Sequence, residues 1–230
     1  CRSGTTMLYR SFANHPDTDM RFQTIKDGQR QDGNPDYTFF EADADTSFVI
    51  GKETVGYGNE KDCALEVFPN DQTIVDTQPL FIFREPRSNF ASWLKQNLVP
   101  EGAGTFYFTR AYRHVHALLM HAQNVSDQTS VITYEELCNS PKKYLEKLCE
   151  RWGIDFHPNM MHWKDDILQS GNLDADGIKE GHYASVASQC AINKAQSHSK
   201  LPEMYEESLA LLLPVYEEVR NRMQHCFDVT

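Results

Sequence analysis

The sequence lacks several features that would assign it to common classes of protein. It has no run of about 18 apolar residues, so we expect no membrane-spanning helix, and its first residues lack the apolar stretch of a secretory signal. Acidic residues outnumber basic ones, and the formal net charge is -11. Nucleic acids and anionic membranes attract basic surfaces, so we expect neither as the main partner. We therefore expect a cytoplasmic protein in which any bound anion occupies a local pocket.

Spacings typical of metal or redox sites are also missing. The six cysteines form no CxxC pair and no Cys/His arrangement typical of a metal site, and the histidines lie without paired spacing. A chain of 230 residues does not need disulfides for stability, so we expect reduced, partly buried thiols. The sequence gives no reason to expect a metal ion.

What is present predicts one α/β domain spanning residues 1–230, with enough hydrophobic residues (40%) for a single core. Short apolar runs bounded by polar residues predict buried parallel strands at residues 47–51, 79–83 and 130–134. Helical spacing and capping residues predict helices at residues 5–14, 86–97, 111–123, 141–152 and 203–223, the last kinked at Pro214. The polar stretches 26–46 and 170–199 are predicted loops.

The stretch RSGTT, residues 2–6, is a small, hydroxyl-rich turn directly before a helical pattern. Backbone N–H groups at a helix N-terminus attract anions, so a phosphate site is the functional interpretation. An ordinary Ser/Thr cap with a turn glycine is the structural alternative. The turn is not the nucleotide-hydrolase loop G-x-x-x-x-G-K-[ST], because the upstream glycine and the lysine are missing, and this disfavours a kinase or ATPase.

Two further motifs follow predicted strands. The strand at residues 79–83 is followed by Arg84, and the next helix brings Ser92 eight residues later. Both side chains can face a group at the carboxyl edge of the sheet, where α/β folds bind ligands. The strand at residues 130–134 ends on Tyr134, which opens a Tyr-Glu-Glu-Leu sequence. These placements favour an anion site over a simple helix cap.

In this order and spacing, the three motifs resemble those of the sulfotransferases that use 3′-phosphoadenosine 5′-phosphosulfate (PAPS). The resemblance continues through residues 153–163 and 211–219, so it covers most of the chain, though weakly between the motifs. It implies an α/β fold of the sulfotransferase type, with a P-loop-like parallel sheet flanked by helices. The family's first strand would precede the loop, and only Cys1 does so here, so we expect that strand to be lacking from this chain.

The resemblance also implies roles for individual residues in binding the nucleotide. Arg84 and Ser92 would hold the 3′-phosphate, and Tyr134 matches a tyrosine near the adenine, although a tyrosine that closes a buried strand is equally consistent with plain core. The residues that would cradle the 5′-phosphate and the sulfuryl group are Arg2, Ser3, Gly4, Thr5 and Thr6. A late Arg-Lys-Gly motif of the cytosolic branch is not found. Lys179 and Lys194 are therefore candidates to complete the 3′-phosphate clamp, and Arg87 is a further possible source of charge.

Sulfuryl transfer also needs a base for the acceptor's proton and positive charge on the departing oxygen, by analogy with phosphoryl transfer. Family members carry the base, His or Glu, close to a Lys after the first internal strand, where this chain reads VIGKET. Glu53 is therefore the predicted base and Lys52 the predicted cation, with solvated loop charges as the alternative. Thr54 holds the position of the histidine in a Lys-x-His alignment and cannot serve as a base. His116 and His182 are the next candidates.

We therefore expect an enzyme that transfers a sulfuryl group from PAPS to a hydroxyl or amine of a small-molecule acceptor, leaving 3′-phosphoadenosine 5′-phosphate (PAP). Two alternatives stay open at this point. A P-loop small-molecule kinase is disfavoured by the missing lysine of the loop. A non-catalytic nucleotide-binding protein of the same fold would keep the nucleotide site without a working base. The sequence carries no signal for an oligomer and none for the identity of the acceptor.

Overall fold

The computed structural model describes residues 2–38, 48–163, 191–192 and 201–227. The chain divides into two compact units. The first comprises Cys1–Gly4, Val55–Asn139 and Ala195–Thr230, and the second comprises Thr5–Thr54 and Ser140–Lys194. That the whole chain is a single domain stays a prediction.

Short strands alternate with helices along the described residues. The strands are β1 (Asp19–Phe22), β2 (Val49–Lys52), β3 (Leu80–Phe83) and β4 (Ser130–Thr133). The helices are α1 (Thr5–Ala13), α2 (Thr24–Asp32), α3 (Glu60–Cys63), α4 (Asp71–Thr77), α5 (Pro86–Lys95), α6 (Phe106–Val125), α7 (Tyr134–Asn139), α8 (Pro141–Trp152), α9 (Glu206–Ala210) and α10 (Leu213–Phe227). Single 3₁₀ turns lie at Pro158–Met161 and Glu203–Tyr205.

The strands pair in parallel, as predicted. In the second unit β1 pairs with β2, so that Phe22 lies opposite Lys52, and in the first unit β3 pairs with β4, so that Phe83 lies opposite Thr133. Parallel partners end at the same edge of a sheet, where α/β folds bind their ligands. The residues that follow β3 and β4 are therefore brought side by side, as are those that follow β1 and β2.

In the first unit α10 covers β4, whose four residues are all buried. The helix presents a stripe of buried side chains at helical spacing, Tyr216, Val219, Met223 and Phe227. An aromatic cluster joins β3, α5 and α6. The Phe83 and Tyr112 rings lie 5.4 Å apart, and the Trp93 and Phe108 rings lie 5.3 Å apart. This packing holds the end of β3 in a rigid frame.

In the second unit α1 packs on β1 and on α8. The Tyr9 ring meets Phe22 edge-on at 5.3 Å, and the Phe12 ring lies 5.1 Å from Trp152. The predicted helix at residues 141–152 is confirmed as α8, with Pro141 in its first turn and Gly153 ending it in the left-handed conformation (φ 69°). This unit positions the residues that follow β2.

Two sequence predictions of secondary structure are wrong, and strand β1 was not predicted at all. Residues 26–32, predicted as part of a loop, belong to helix α2. Ile25 is the only apolar residue of α2, so the helix has no apolar stripe to detect, and its exposed face is polar. The C-terminal helical region is two helices rather than one with a kink. Pro214 lies in the first turn of α10, where a missing N–H costs nothing, so the helix begins there.

None of the described helices combines the length and the apolar composition that a membrane-spanning segment requires. Among the described cysteines, Cys63, Cys138 and Cys149 are buried and Cys226 is partly exposed, and none of these four forms a disulfide. Over the described ranges, no three side chains of His, Cys, Asp or Glu cluster so as to hold a metal ion.

Candidate active site

The loop before α1 comes into close contact with Tyr134. Gly4 has a φ of 97°, which side-chain-bearing residues rarely adopt, and a Cβ on Gly4 would lie 2.5 Å from Cδ2 of Tyr134. Arg2 is also left-handed, with a φ of 61°, and Ser3 is buried. The glycine of the RSGTT motif is therefore required by both the turn and its neighbour.

Arg84 and Tyr134 follow the paired strands β3 and β4, and the two side chains meet. The guanidinium carbon of Arg84 lies 4.4 Å from the centroid of the Tyr134 ring, within the range of a cation–π contact. Nη1 of Arg84 also donates a long hydrogen bond of 3.4 Å to the carbonyl oxygen of Arg2. The two strand ends and the loop thus converge at one edge of the sheet.

Ser92 of α5 joins the same cluster. Nε of Arg2 donates a hydrogen bond of 3.2 Å to Oγ of Ser92. The Arg2 side chain therefore lies beside one of the two residues predicted to hold the 3′-phosphate, and not only beside its own loop. Residues from four distant positions in the sequence, Arg2, Arg84, Ser92 and Tyr134, are brought together in the first unit.

One atom of this cluster is buried without a partner. Nε of Arg84 makes no hydrogen bond to any described residue. A buried, unsatisfied donor costs about 1–3 kcal/mol, and more on a charged group, so a native site normally supplies an acceptor. An anionic oxygen would satisfy it. The residues present therefore fit a phosphate at this position.

The other residues considered near this cluster are accounted for differently. Nε of Arg87 donates to Oε2 of Glu206 at 2.7 Å, and this ion pair raises the pKa of Arg87. Burial raises the pKa of Tyr134 to about 12, so its phenol stays neutral. Lys179, Lys194 and His182 lie outside the described residues.

A cleft opens beside Ser3 in the first unit. It has a volume of about 330 Å³ including its open mouth, and its lining includes four aromatic rings from β3, α5 and α6. Oδ1 of Asn89, a side chain of which only 5% is exposed, lines this cleft without a hydrogen-bond partner among the described residues.

In the second unit the predicted base follows β2. Oε1 of Glu53 accepts a hydrogen bond of 2.9 Å from the backbone N–H of Ile25, and Oε2 accepts one of 3.4 Å from that of Lys26. These two N–H groups lie in the first turn of α2 and have no partner within the helix, because the cap residue Gln23 is left-handed and makes no side-chain capping bond. Glu53 therefore caps a helix from a distance of 28 residues along the chain.

Two lysines surround this carboxylate. Nζ of Lys52 is buried 3.9 Å above the Phe22 ring and donates to Oε1 of Gln23 at 3.4 Å. Nζ of Lys26, which is only 1% exposed, donates to the carbonyl oxygen of Thr54 at 3.0 Å. Sequence reasoning missed Lys26, because it placed this residue in a loop.

Burial raises the pKa of Glu53 to about 7, and the N–H of Ile25 and the charge of Lys52 offset only part of that rise. A carboxylate with a pKa near neutrality can accept a proton at neutral pH and release it again.

Thr54 is buried, and its hydroxyl is hydrogen-bonded to Oε1 of Gln23.

The remaining predicted residues have simpler surroundings. Thr5 and Thr6 are partly exposed in the first turn of α1, where free N–H groups and the positive helix end attract anions. Nε2 of His116 lies 3.1 Å from Oε2 of Glu218, so this ring contacts a carboxylate of α10.

Two comparisons with known proteins give matches to sulfotransferase domains. The family model for the sulfotransferase domain matches residues 119–223, a segment that contains Tyr134 but neither the loop nor Arg84. The fold resembles that of the sulfotransferase domain from the curacin biosynthetic pathway, with a TM-score of 0.51, 15% sequence identity, and coverage of 93% of this chain and 94% of that one. No curated protein matches the sequence.

The structural match confirms the predicted α/β fold of the sulfotransferase type. The family model for the sulfotransferase domain matches the C-terminal part of the same chain, somewhat less than half of its length.

Proposed function

We propose that this protein transfers a sulfuryl group from PAPS to a hydroxyl or amine of a small-molecule acceptor. The observation that carries the proposal is the cluster of Arg2, Arg84, Ser92 and Tyr134, in which a buried guanidinium N–H has no acceptor among the described residues. A 3′-phosphate is the group that would complete it. A cytoplasmic location is part of the proposal, because four free thiols are typical of a reducing compartment.

The proposed roles follow the chemistry of the transfer. Arg84 and Ser92 hold the 3′-phosphate, Tyr134 lies against the adenine, and the loop from Arg2 to Thr6 binds the 5′-phosphosulfate. PAPS supplies the activated sulfuryl group. The acceptor's oxygen or nitrogen forms a bond to sulfur while the bond from sulfur to the bridging phosphate oxygen breaks. Glu53 takes the acceptor's proton, and Lys52 stabilises the charge on the oxygen that leaves with PAP.

A thermal-shift comparison tests the nucleotide class. We expect PAP to raise the melting temperature markedly and ATP with Mg²⁺ to raise it weakly, because ATP lacks the 3′-phosphate that Arg84 would bind. Both ligands are compared at equal concentration by differential scanning fluorimetry. Equal shifts, or a requirement for Mg²⁺, would instead favour a P-loop kinase.

Arg84→Ala tests the position of the 3′-phosphate. We expect affinity for PAP to fall by about 1.5–3 kcal/mol, roughly 10- to 150-fold in Kd, because charge-assisted hydrogen bonds to phosphate are lost. Titration calorimetry measures the change. Arg87→Ala is the matched control, since Arg87 is paired with Glu206 and should leave the Kd nearly unchanged. An unchanged Kd for Arg84→Ala would show that the phosphate binds elsewhere.

A non-catalytic nucleotide-binding protein is the second candidate function. It is favoured by one observation, namely that both carboxylate oxygens of Glu53 already accept N–H groups of α2. Incubation with ³⁵S-labelled PAPS and a library of alcohols and amines separates the two candidates. Labelled product supports the enzyme, whereas binding of PAP without any product supports the binding protein.

A further inference from the structure

Both polar atoms of one peptide group, the one that joins Arg84 to Glu85, are held by side chains. The Tyr112 hydroxyl on α6 donates to the carbonyl oxygen of Arg84 at 3.1 Å. On the other side of the same peptide group, the N–H of Glu85 donates to Oε1 of Glu135 on α7 at 3.1 Å. A peptide group is planar, so two such bonds fix its orientation. They also fix the direction in which the backbone presents the Arg84 side chain.

Tyr216 completes this arrangement from α10. Its hydroxyl donates to Oε2 of Glu135 at 2.6 Å, so each oxygen of that carboxylate has a donor. Burial raises the pKa of Tyr216 well above its ordinary value, which keeps the phenol protonated as a donor. Without this bond, the long Glu135 side chain would regain part of its rotamer freedom. Tyr216 therefore holds Glu135 in the rotamer that reaches Glu85.

The Arg84 side chain has few other restraints. Its Nε is without a partner among the described residues, and Nη1 makes only the long bond to the carbonyl of Arg2. The Tyr134 ring supports the guanidinium from one face. A cation–π contact is tolerant of sliding, whereas bidentate binding of phosphate demands a defined plane. The backbone clamp therefore adds a restraint at the point where this side chain leaves the backbone.

We propose that Glu135 and Tyr216 are positioning residues that set the selectivity of this protein for a nucleotide bearing a 3′-phosphate, by fixing the Arg84–Glu85 peptide group. The inference rests on the proposed function, because it takes Arg84 to be the 3′-phosphate ligand. It predicts that loss of the clamp weakens binding of the 3′-phosphate alone, since the loop and Tyr134 still contact the rest of the nucleotide.

Tyr216→Phe is the direct test, because it removes the hydroxyl and keeps the buried ring. Calorimetry gives the Kd of PAP and of adenosine 5′-monophosphate (AMP), which differs in lacking the 3′-phosphate. We expect the Kd of PAP to rise about tenfold, the effect of losing one hydrogen bond to a charged group, and that of AMP to stay unchanged. Tyr205→Phe is the control, because Tyr205 packs on Phe90 in the same unit.

Two further variants keep the test decisive if Tyr216→Phe folds poorly. Tyr112→Phe releases the other side of the peptide group and should lower the same selectivity. Glu135→Ala should lower it too, whereas Glu135→Gln keeps an oxygen for the N–H of Glu85 and should restore most of it. A purely structural role would move the melting temperature and both Kd values together, and that result would overturn the inference.

The outcomes also distinguish failure of the proposed function from failure of this inference alone. A wild-type protein that binds AMP as tightly as PAP contradicts the proposed function and this inference together. A wild-type protein that prefers PAP, with variants at Tyr216 and Glu135 that keep the same preference, contradicts the inference alone.

Discussion

Glu53→Gln should lower turnover by about 10²- to 10⁴-fold while leaving the Kd of PAP nearly unchanged. A general base acts on the acceptor's proton in the transition state and does not bind the nucleotide, so its loss affects kcat and kcat/KM rather than donor affinity. Gln keeps the shape of the side chain and one oxygen for the N–H of Ile25. Initial rates with ³⁵S-labelled PAPS and calorimetry with PAP measure the two quantities.

The pH profile provides an independent signature of the same group. The base must be ionised to act, so the wild-type rate should rise with pH through about 7, the pKa to which burial raises Glu53. This rise, the acidic limb of the profile, should disappear in Glu53→Gln. Glu146→Gln on the exposed face of α8 is the control and should keep both the rate and the limb. Near-normal turnover of Glu53→Gln would refute the assignment and direct attention to His116 and His182.

Lys52→Met should slow turnover by about 10²- to 10³-fold, on the order of the loss of one oxyanion-hole donor. The ammonium is buried over the Phe22 ring, where a charge acts at low dielectric and Met can keep the packing. Its charge also lowers the pKa of Glu53, so the substitution should move the acidic limb of the profile to higher pH. Rates measured between pH 6 and pH 9 separate the two effects.

Lys26→Met is the informative comparison for Lys52→Met. The charge of Lys26 also lowers the pKa of Glu53, yet the proposed mechanism gives it no contact with the departing oxygen. Its rate should therefore recover at high pH, where Glu53 is ionised in either variant, while that of Lys52→Met stays low. Recovery of both variants would show that Lys52 acts only through the pKa of Glu53.

Part of the cluster in the first unit, the meeting of Arg84 and Tyr134, could be predicted because both residues follow strands that are readable in the sequence. Arg84 and Tyr134 directly follow runs of apolar residues, and parallel pairing alone brings them to one edge. The role of Tyr112 could not be predicted, because it depends on which face of a long helix meets the end of β3. The sequence pattern of an aromatic helix face does not indicate which atom accepts the hydrogen bond of a tyrosine hydroxyl.

The second unit shows the opposite case. Residues 24–32 contain one apolar side chain, and the helix they form is capped by a carboxylate from another segment. Local propensity and periodicity cannot indicate such a cap, so the sequence predicts a loop from residue 26 and gives no sign of the position of Lys26. Glu53 and Lys52 were selected from their position after a strand, and their roles in the reaction stay predictions.

The cap on α2 has a thermodynamic consequence. A carboxylate that accepts two backbone N–H groups holds them more strongly when it is ionised than when it carries a proton. Proton uptake by Glu53 therefore weakens the cap and favours fraying of the first turn of α2. Fraying in turn favours proton uptake, and linkage requires the two effects to have the same free energy. On the proposed mechanism, every turnover loads this carboxylate with a proton. Helix α2 would then be loosest in the interval between sulfuryl transfer and release of that proton to solvent.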